Sequence, residues 1–294
     1  MVQIRPAILL AGTALSLFAG AVAPSSAQEK IVGTPALAGT TARAAGALSA
    51  RETGPLTREL EITMSDLATG DALTDFEEEL TQKLHVIAVD STLSTFVHEH
   101  AEEPDADGRF RVNAHFPKPG IYHVYADAVP AGLRQQVLRF DVPVGETAAA
   151  APASLSPQPG GALSSSDGPY TVELDTSALA AGAETELKLR ILKDGRPADD
   201  LTPYLGVPAH AVFVAAKDLA YVHAHATART AGAHGGHDPH SGHGASSTEE
   251  AVPPDLQLHV TPPHAGAYAL WVQFMGGGEV RTVPFSIGVP EPRS

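Results

Sequence analysis

The sequence predicts an all-β chain built as two tandem β-sandwich domains behind a cleavable export signal, and three observations predict it. A sixteen-residue phrase occurs twice, as HVIAVDSTLSTFVHEH over residues 85–100 and as HAVFVAAKDLAYVHAH over residues 210–225. Around both copies, apolar residues alternate with polar ones over short runs, which is the period of a half-buried strand. Each copy supplies about seven such runs in roughly 95 residues, separated by turn signals, and that pattern suits an immunoglobulin-like sandwich.

Taken in order, residues 1–27 read as a signal peptide: Arg5, an apolar stretch over 7–23, and Ser25-Ser26-Ala27 as the small-residue cleavage site. The mature chain is then expected to begin at Gln28, periplasmic or secreted, with no stable membrane insertion after cleavage. Residues 28–52, rich in Ala, Gly and Thr without an apolar period, read as a flexible leader. Repeat one occupies 53–146, and a Pro/Ala/Ser/Gly linker runs over 147–166. Repeat two occupies 167–290 and carries a His-rich loop at 232–246.

A shift of 125 residues places Leu60-Glu61-Ile62-Thr63-Met64 on Thr185-Glu186-Leu187-Lys188-Leu189, and Gly70-Asp71 on Gly195-Arg196. Further on, Gly120-Ile121-Tyr122 matches Gly266-Ala267-Tyr268 at a shift of 146, so repeat two holds 21 extra residues. Leu60, Ile62 and Met64 alternate with polar residues, as do Leu187, Leu189 and Ile191, and turns such as Lys193-Asp194-Gly195-Arg196 punctuate the strands. Further strands are expected at 86–89, 95–100, 110–116, 122–127 and 137–142. One or two helical turns are expected over 76–83.

Three phrases carry a family resemblance: Lys83-Leu84-His85-Val86-Ile87, then Leu93-Ser94-Thr95-Phe96-Val97-His98-Glu99-His100, then Phe116-Pro117-Lys118-Pro119-Gly120-Ile121-Tyr122. They resemble the YtkA-like domain of bacterial envelopes. The resemblance implies a small immunoglobulin-like sandwich and an association with heavy-metal handling. The chain departs from that family at Ala101 and Ala226, where proline often follows the histidine pair, and it lacks the accompanying Cys-Pro-x-His-Pro module.

Composition narrows the chemistry. There are no cysteines, which excludes disulfides, thiolate zinc sites and cysteine nucleophiles, and three methionines are too few for a thioether Cu(I) site. The formal net charge of -15, which argues against nucleic acid or an anionic membrane as partner, falls to -16 when Arg5 leaves with the signal. Metal chemistry here must use imidazole and carboxylate.

Imidazole is the commonest metal ligand and titrates near neutral pH. His85, His98 and His100 form one candidate triad, and His210, His223 and His225 the other. In each, the His-x-His pair shares one face of a strand, its Cα atoms about 6.8 Å apart. If the hairpin pairs His85 opposite His98 or His100, three rings converge as a workable Zn(II) or Cu(II) site. Pairing opposite Glu99 would send His85 to the other face. Phe96 and Tyr221 share the histidine faces, so a core role with backbone hydrogen bonds competes with a metal role. In the 232–246 loop, His234, His237, His240 and His243 recur at every third position with Asp238 among them, a pattern suited to loose capture of Cu(II), Zn(II) or Ni(II). His115, His123, His259 and His264 read as strand-edge residues.

No enzyme signature is present: His98-Glu99-His100 lacks the His-Glu-x-x-His spacing, and neither a Gly-x-Ser-x-Gly elbow nor a phosphate-binding glycine loop occurs. The reading is a non-catalytic protein that binds divalent metal for storage, buffering or delivery, with an envelope protein as a further partner. The alternative is a structural or protein-binding module without metal.

Overall fold

A computed structural model describes residues 30–37, 39–146, 153, 155–158, 160–229 and 251–292. The expected signal peptide and the His-rich loop lie outside the described residues. Those described form strands, turns and bends with no helix among them.

Seven principal strands make each domain. In the first they are β1 (Ala44–Gly54), β2 (Thr57–Asp66), β3 (Leu84–Asp90), β4 (Phe96–His100), β5 (Phe110–His115), β6 (Gly120–Pro130) and β7 (Gln136–Val144). In the second they are β8 (Tyr170–Asp175), β9 (Thr185–Lys193), β10 (Ala209–Ala215), β11 (Tyr221–Ala228), β12 (Asp255–Val260), β13 (Gly266–Gly276) and β14 (Glu279–Val289). Each strand of the first domain thus has a counterpart seven labels later.

Sheet β1-β2-β5 faces sheet β7-β6-β3-β4, and all their pairings are antiparallel. In the second domain β8-β9-β12 faces β14-β13-β10-β11, and the end of β11 also pairs with β12 through Ala226↔Leu258, Thr227↔Gln257 and Ala228↔Leu256. The predicted alternation is visible in β9, where Leu187, Leu189 and Ile191 are buried and Glu186, Lys188 and Arg190 exposed. Between the sheets of the first domain lie Leu48, Leu60, Ile62, Phe110, Val86, Val124 and Phe140. Leu174, Leu187, Leu189, Phe213, Leu258 and Phe274 fill the second core. At the start of β6 the Tyr122 hydroxyl donates to the Lys118 carbonyl at 2.9 Å, and on β13 the Tyr268 hydroxyl donates to the His264 carbonyl at 2.9 Å. This is the tyrosine corner of immunoglobulin-like sandwiches, present in both domains.

Strands β3 and β10 are buried along their whole length, on both faces. One face of each enters its own core; the other meets the opposite domain. Ile87, Val89 and Tyr125 pack there with Val212, Val214, Tyr221 and Trp271. Phe96 stacks on Trp271 with ring centroids 5.1 Å apart, and Tyr221 stacks on Tyr125 at 4.9 Å. Phe96 and Tyr221 are counterparts, as are Tyr125 and Trp271. The domains therefore meet about a pseudo-two-fold axis through a self-complementary surface.

Four expectations are corrected. The helical turns over 76–83 do not form: Phe76–Glu77 pairs with Val129 and Pro130, and Leu80 and Thr81 follow at φ 51° and 68°, which no right-handed helix admits. The leader is not structureless, because Lys30–Val32 pairs with β1, and β1 itself begins at Ala44. Its small residues are required by close packing; a Cβ on Gly46 would stand 2.5 Å from a Leu138 methyl and 2.7 Å from the Thr63 carbonyl oxygen. The expected linker likewise ends in a strand, Ala162–Asp167, hydrogen-bonded along β8.

The fourth correction concerns the alignment. The amide of Leu73 donates to the Met64 carbonyl, and the amide of Ala198 donates to the Ile191 carbonyl. Leu73 and Ala198 are 125 apart, but Met64 and Ile191 are 127 apart. Ile62 therefore corresponds to Leu189, and the first domain has a turn two residues longer at this point.

Candidate metal centre

The hairpin β3–β4 decides where the first triad points. Its register sets His85 opposite His100, Val86 opposite Glu99 and Ile87 opposite His98. The turn is held by Asp90, whose Oδ1 accepts from the amides of Ser94 at 2.8 Å and Thr95 at 2.7 Å. Because residues two apart share a face, His85, His98 and His100 converge on the side turned toward the second domain. The hairpin β10–β11 repeats this, with His210 opposite His225 and Val212 opposite His223. Among the described residues these two triads are the groups able to hold a metal ion, each offering three ligand atoms within 4.8 Å of one another.

The outer nitrogens of the rings are already engaged. His85 Nε2 lies 3.0 Å from the Glu79 carbonyl oxygen, and His98 Nδ1 lies 2.7 Å from Gln273 Oε1. Both partners accept, the glutamine because its Nε2 donates to Thr282 Oγ1 at 2.9 Å. A neutral imidazole carries one N–H, so each ring spends it outward and turns a bare lone pair inward. His85 Nδ1 and His98 Nε2 then face each other at 3.3 Å.

The second triad repeats the arrangement. His210 Nε2 donates to the Tyr204 carbonyl at 3.0 Å, His223 Nδ1 donates to Asp127 Oδ2 at 3.3 Å, and His210 Nδ1 faces His223 Nε2 at 3.2 Å. Two lone pairs at that distance repel unless a cation lies between them. For tetrahedral ligation with metal–nitrogen bonds of about 2.05 Å, ligand nitrogens stand about 3.35 Å apart. The third ring of each triad completes the set: His100 Nε2 and His225 Nε2 are buried without a hydrogen-bond partner.

Burial favours the neutral form of His98, His100, His210, His223 and His225. His100 is lowered from 6.5 to about 4, first by desolvation and then by His85; His225 is lowered to about 3 by desolvation, then by His223. His210 falls to about 3 through burial, with His225 the next cause. His98 and His223 are held well below the ordinary value, again by burial first and neighbouring imidazoles second. Protons therefore compete weakly with a metal at neutral pH.

The outer supports cross the domain interface. Gln273 of β13 holds a ring of the first triad, and Asp127 of β6 holds a ring of the second. Asp127 and Gln273 are counterparts 146 residues apart. Asp127 is buried and also accepts from Gln135 Nε2 at 2.8 Å and the Tyr221 hydroxyl at 3.1 Å. Desolvation holds its pKa above the ordinary carboxylate value, against the lowering effect of these donors. Glu79, raised to about 7 by burial and then by Asp127, has Tyr204 as its counterpart. The sequence reading missed all four residues. A signal was available, since Asp127 and Gln273 each interrupt an apolar strand at the same place in both repeats.

Both repeats, each with its triad, fall inside a single family model that matches residues 37–146 and 164–291, most of the chain. The chain belongs to the DUF8832 family. DUF8832 is described as a domain of unknown function, and here it occurs in tandem. No curated protein matches the chain. The two DUF8832 segments begin earlier than the sequence reading placed its repeats, at 37 and 164 rather than 53 and 167, in keeping with the extra strands at their starts.

The remaining histidines of this DUF8832 chain do not join the cluster. His115 contacts Thr57, His123 pairs with Asp141 at 2.7 Å, His259 faces Glu184 at 3.8 Å, and His264 pairs with Asp218 at 2.9 Å beside Tyr268. His234, His237, His240 and His243 lie outside the described residues.

Proposed function

We propose that this is an exported, non-catalytic protein that binds divalent transition metal through its histidine triads, for storage, buffering or delivery in the cell envelope. The observation that carries the reading is the pair of ring nitrogens facing each other in both triads, at 3.3 and 3.2 Å, while the other nitrogen of each ring lies against an acceptor. An all-imidazole set suits Cu(II), Zn(II) or Ni(II) rather than the hard cations, which prefer oxygen. His234, His237, His240 and His243, with Asp238, would gather ions for the triads. Arg5 and the apolar stretch behind it support export.

The competing reading, in which the histidines only pack the two domains together, draws on the burial and carbonyl bonds of His85 and His210. It leaves the partnerless Nε2 atoms of His100 and His225 unexplained, since a buried polar atom kept for packing alone needs a partner. The test is calorimetric titration of the full chain with Cu(II), Zn(II) and Ni(II). It is repeated on the full chain with His234, His237, His240 and His243 each changed to alanine. Retention of tightly bound ion by the substituted chain is expected. Failure to retain any of the three ions after dialysis would refute the reading.

A further inference from the structure

The two triads are nearly as close to each other as their own members are. Within a triad, ring centroids lie 4.7 to 5.5 Å apart. Across the pseudo-dyad, His85 lies 5.5 Å from His223 and His98 lies 5.8 Å from His210. Two further cross pairs, His98–His223 and His85–His210, stand at 6.0 and 6.3 Å. Six imidazoles thus make one cluster between the domains. An ion bound at about 2.05 Å from a ring nitrogen sits about 3.2 Å from that ring's centroid. Two ions, one per triad, then lie no more than about 12 Å apart across touching rings.

Two dications this close, screened by protein rather than water, repel each other, so the first ion to bind opposes the second. The halves are also unequal. His223 leans on the Asp127 carboxylate, whereas His98 leans on the neutral Gln273 amide. A carboxylate behind a ligating histidine makes the ring a better donor, and loss of such an outer partner typically costs 10–100-fold in metal affinity.

We infer that the two triads are one dinuclear centre, in which the site of His210, His223 and His225 fills first and its twin fills second and more weakly. This rests on the metal reading above. The ligand is a pair of divalent transition ions, and the graded filling is set by Asp127 against Gln273.

The test uses Cu(II) as probe on the full chain bearing His234→Ala, His237→Ala, His240→Ala and His243→Ala, followed by calorimetry and electron paramagnetic resonance. Two ions per chain are expected, the second bound at least about ten-fold more weakly. The Cu(II) spectrum should broaden by dipolar coupling as the second equivalent is added. Asp127→Asn should weaken the first step about ten-fold and narrow the gap. Gln273→Glu should strengthen the second step and narrow it from the other side. Two ions of equal affinity with an unbroadened spectrum, or one ion only, would overturn the dinuclear centre and leave the metal reading standing. Two graded ions indifferent to both substitutions would overturn the assigned order. No bound Cu(II) would overturn both.

Discussion

The two halves of the histidine cluster present the same donor atoms in the same register, and they differ in what stands behind them. His85, His98 and His100 are backed by the Glu79 carbonyl and Gln273; His210, His223 and His225 are backed by the Tyr204 carbonyl and Asp127. The inner geometry follows from strand pairing alone, and different turns impose it. In the first domain Asp90 ties the hairpin through Ser94 and Thr95, while the counterpart of Asp90 is Ala215, and in the second hairpin the Ala215 amide donates to the Ala220 carbonyl and its carbonyl accepts from the Leu219 amide. What distinguishes the triads is therefore charge rather than shape. Each domain also lends the other its outer support, so neither triad is complete within one sandwich.

That dependence can be broken at the interface, where the largest effect is expected. Trp271→Ala removes the ring stacked on Phe96, and Tyr125→Ala removes its counterpart stacked on Tyr221 together with a hydroxyl that donates to the Leu219 carbonyl at 3.0 Å. Truncating a buried aromatic ring costs about 4 kcal/mol, and each substitution should approach that figure in urea unfolding. Circular dichroism is the suitable probe, because Trp271 is the single tryptophan. Both substitutions should also weaken metal binding at both triads, since Gln273 and Asp127 sit on the strands that move. Loss of affinity at one triad alone would mean that each sandwich builds its own site.

A change of pH sharpens the comparison with a smaller effect. In the chelator-stripped chain, the unfolded imidazoles take up protons near 6.5, whereas His100 resists until about 4 and His210 and His225 until about 3. Their contribution to stability is whole above 6.5 and is lost as pH falls toward those values. Glu79 acts in the opposite sense. Its pKa rises from 4.5 to about 7 on folding, so its contribution is whole below 4.5 and is lost as pH rises through 7. Glu79→Gln should therefore steepen the rise of the urea midpoint between pH 5 and 7, on the order of one proton's worth of slope. Tyr204→Phe, at the counterpart position, should leave the slope unchanged. Equal slopes in wild type and Glu79→Gln would show that Glu79 titrates alike in both states.

The same comparison marks what could be read from the sequence. Strand alternation in β2 and β9 and the repeated His-x-His pairs were legible, because a period of two and a fixed spacing are local properties. The convergence of the triads was legible only as a condition on register, which the hairpins then met. The two-residue slip between Met64 and Ile191 was invisible, since an even shift keeps every side chain on its own face. The leader was misread because Gly46 is required by the close approach of Leu138 and Thr63, and small residues carry no period. Asp127 and Gln273 were overlooked because their partners lie across the interface, 96 and 175 residues away along the chain.

The smallest expected difference lies at the tyrosine corners. Tyr122 spends its hydroxyl on one bond, to the Lys118 carbonyl. Tyr268 makes the same bond to the His264 carbonyl, and its hydroxyl also lies 3.2 Å from His264 Nδ1. That ring is held on its far side by Asp218, with Nε2 to Oδ2 at 2.9 Å. Tyr122→Phe leaves one part-buried carbonyl short of a partner and should cost about 1 kcal/mol. Tyr268→Phe also strips a contact from an imidazole already oriented by a carboxylate, so its cost should exceed that of Tyr122→Phe by a few tenths of a kcal/mol. Urea midpoints of the two variants, compared at equal m-value, decide the order. A larger loss for Tyr122→Phe would show that the His264 ring adds nothing to its corner.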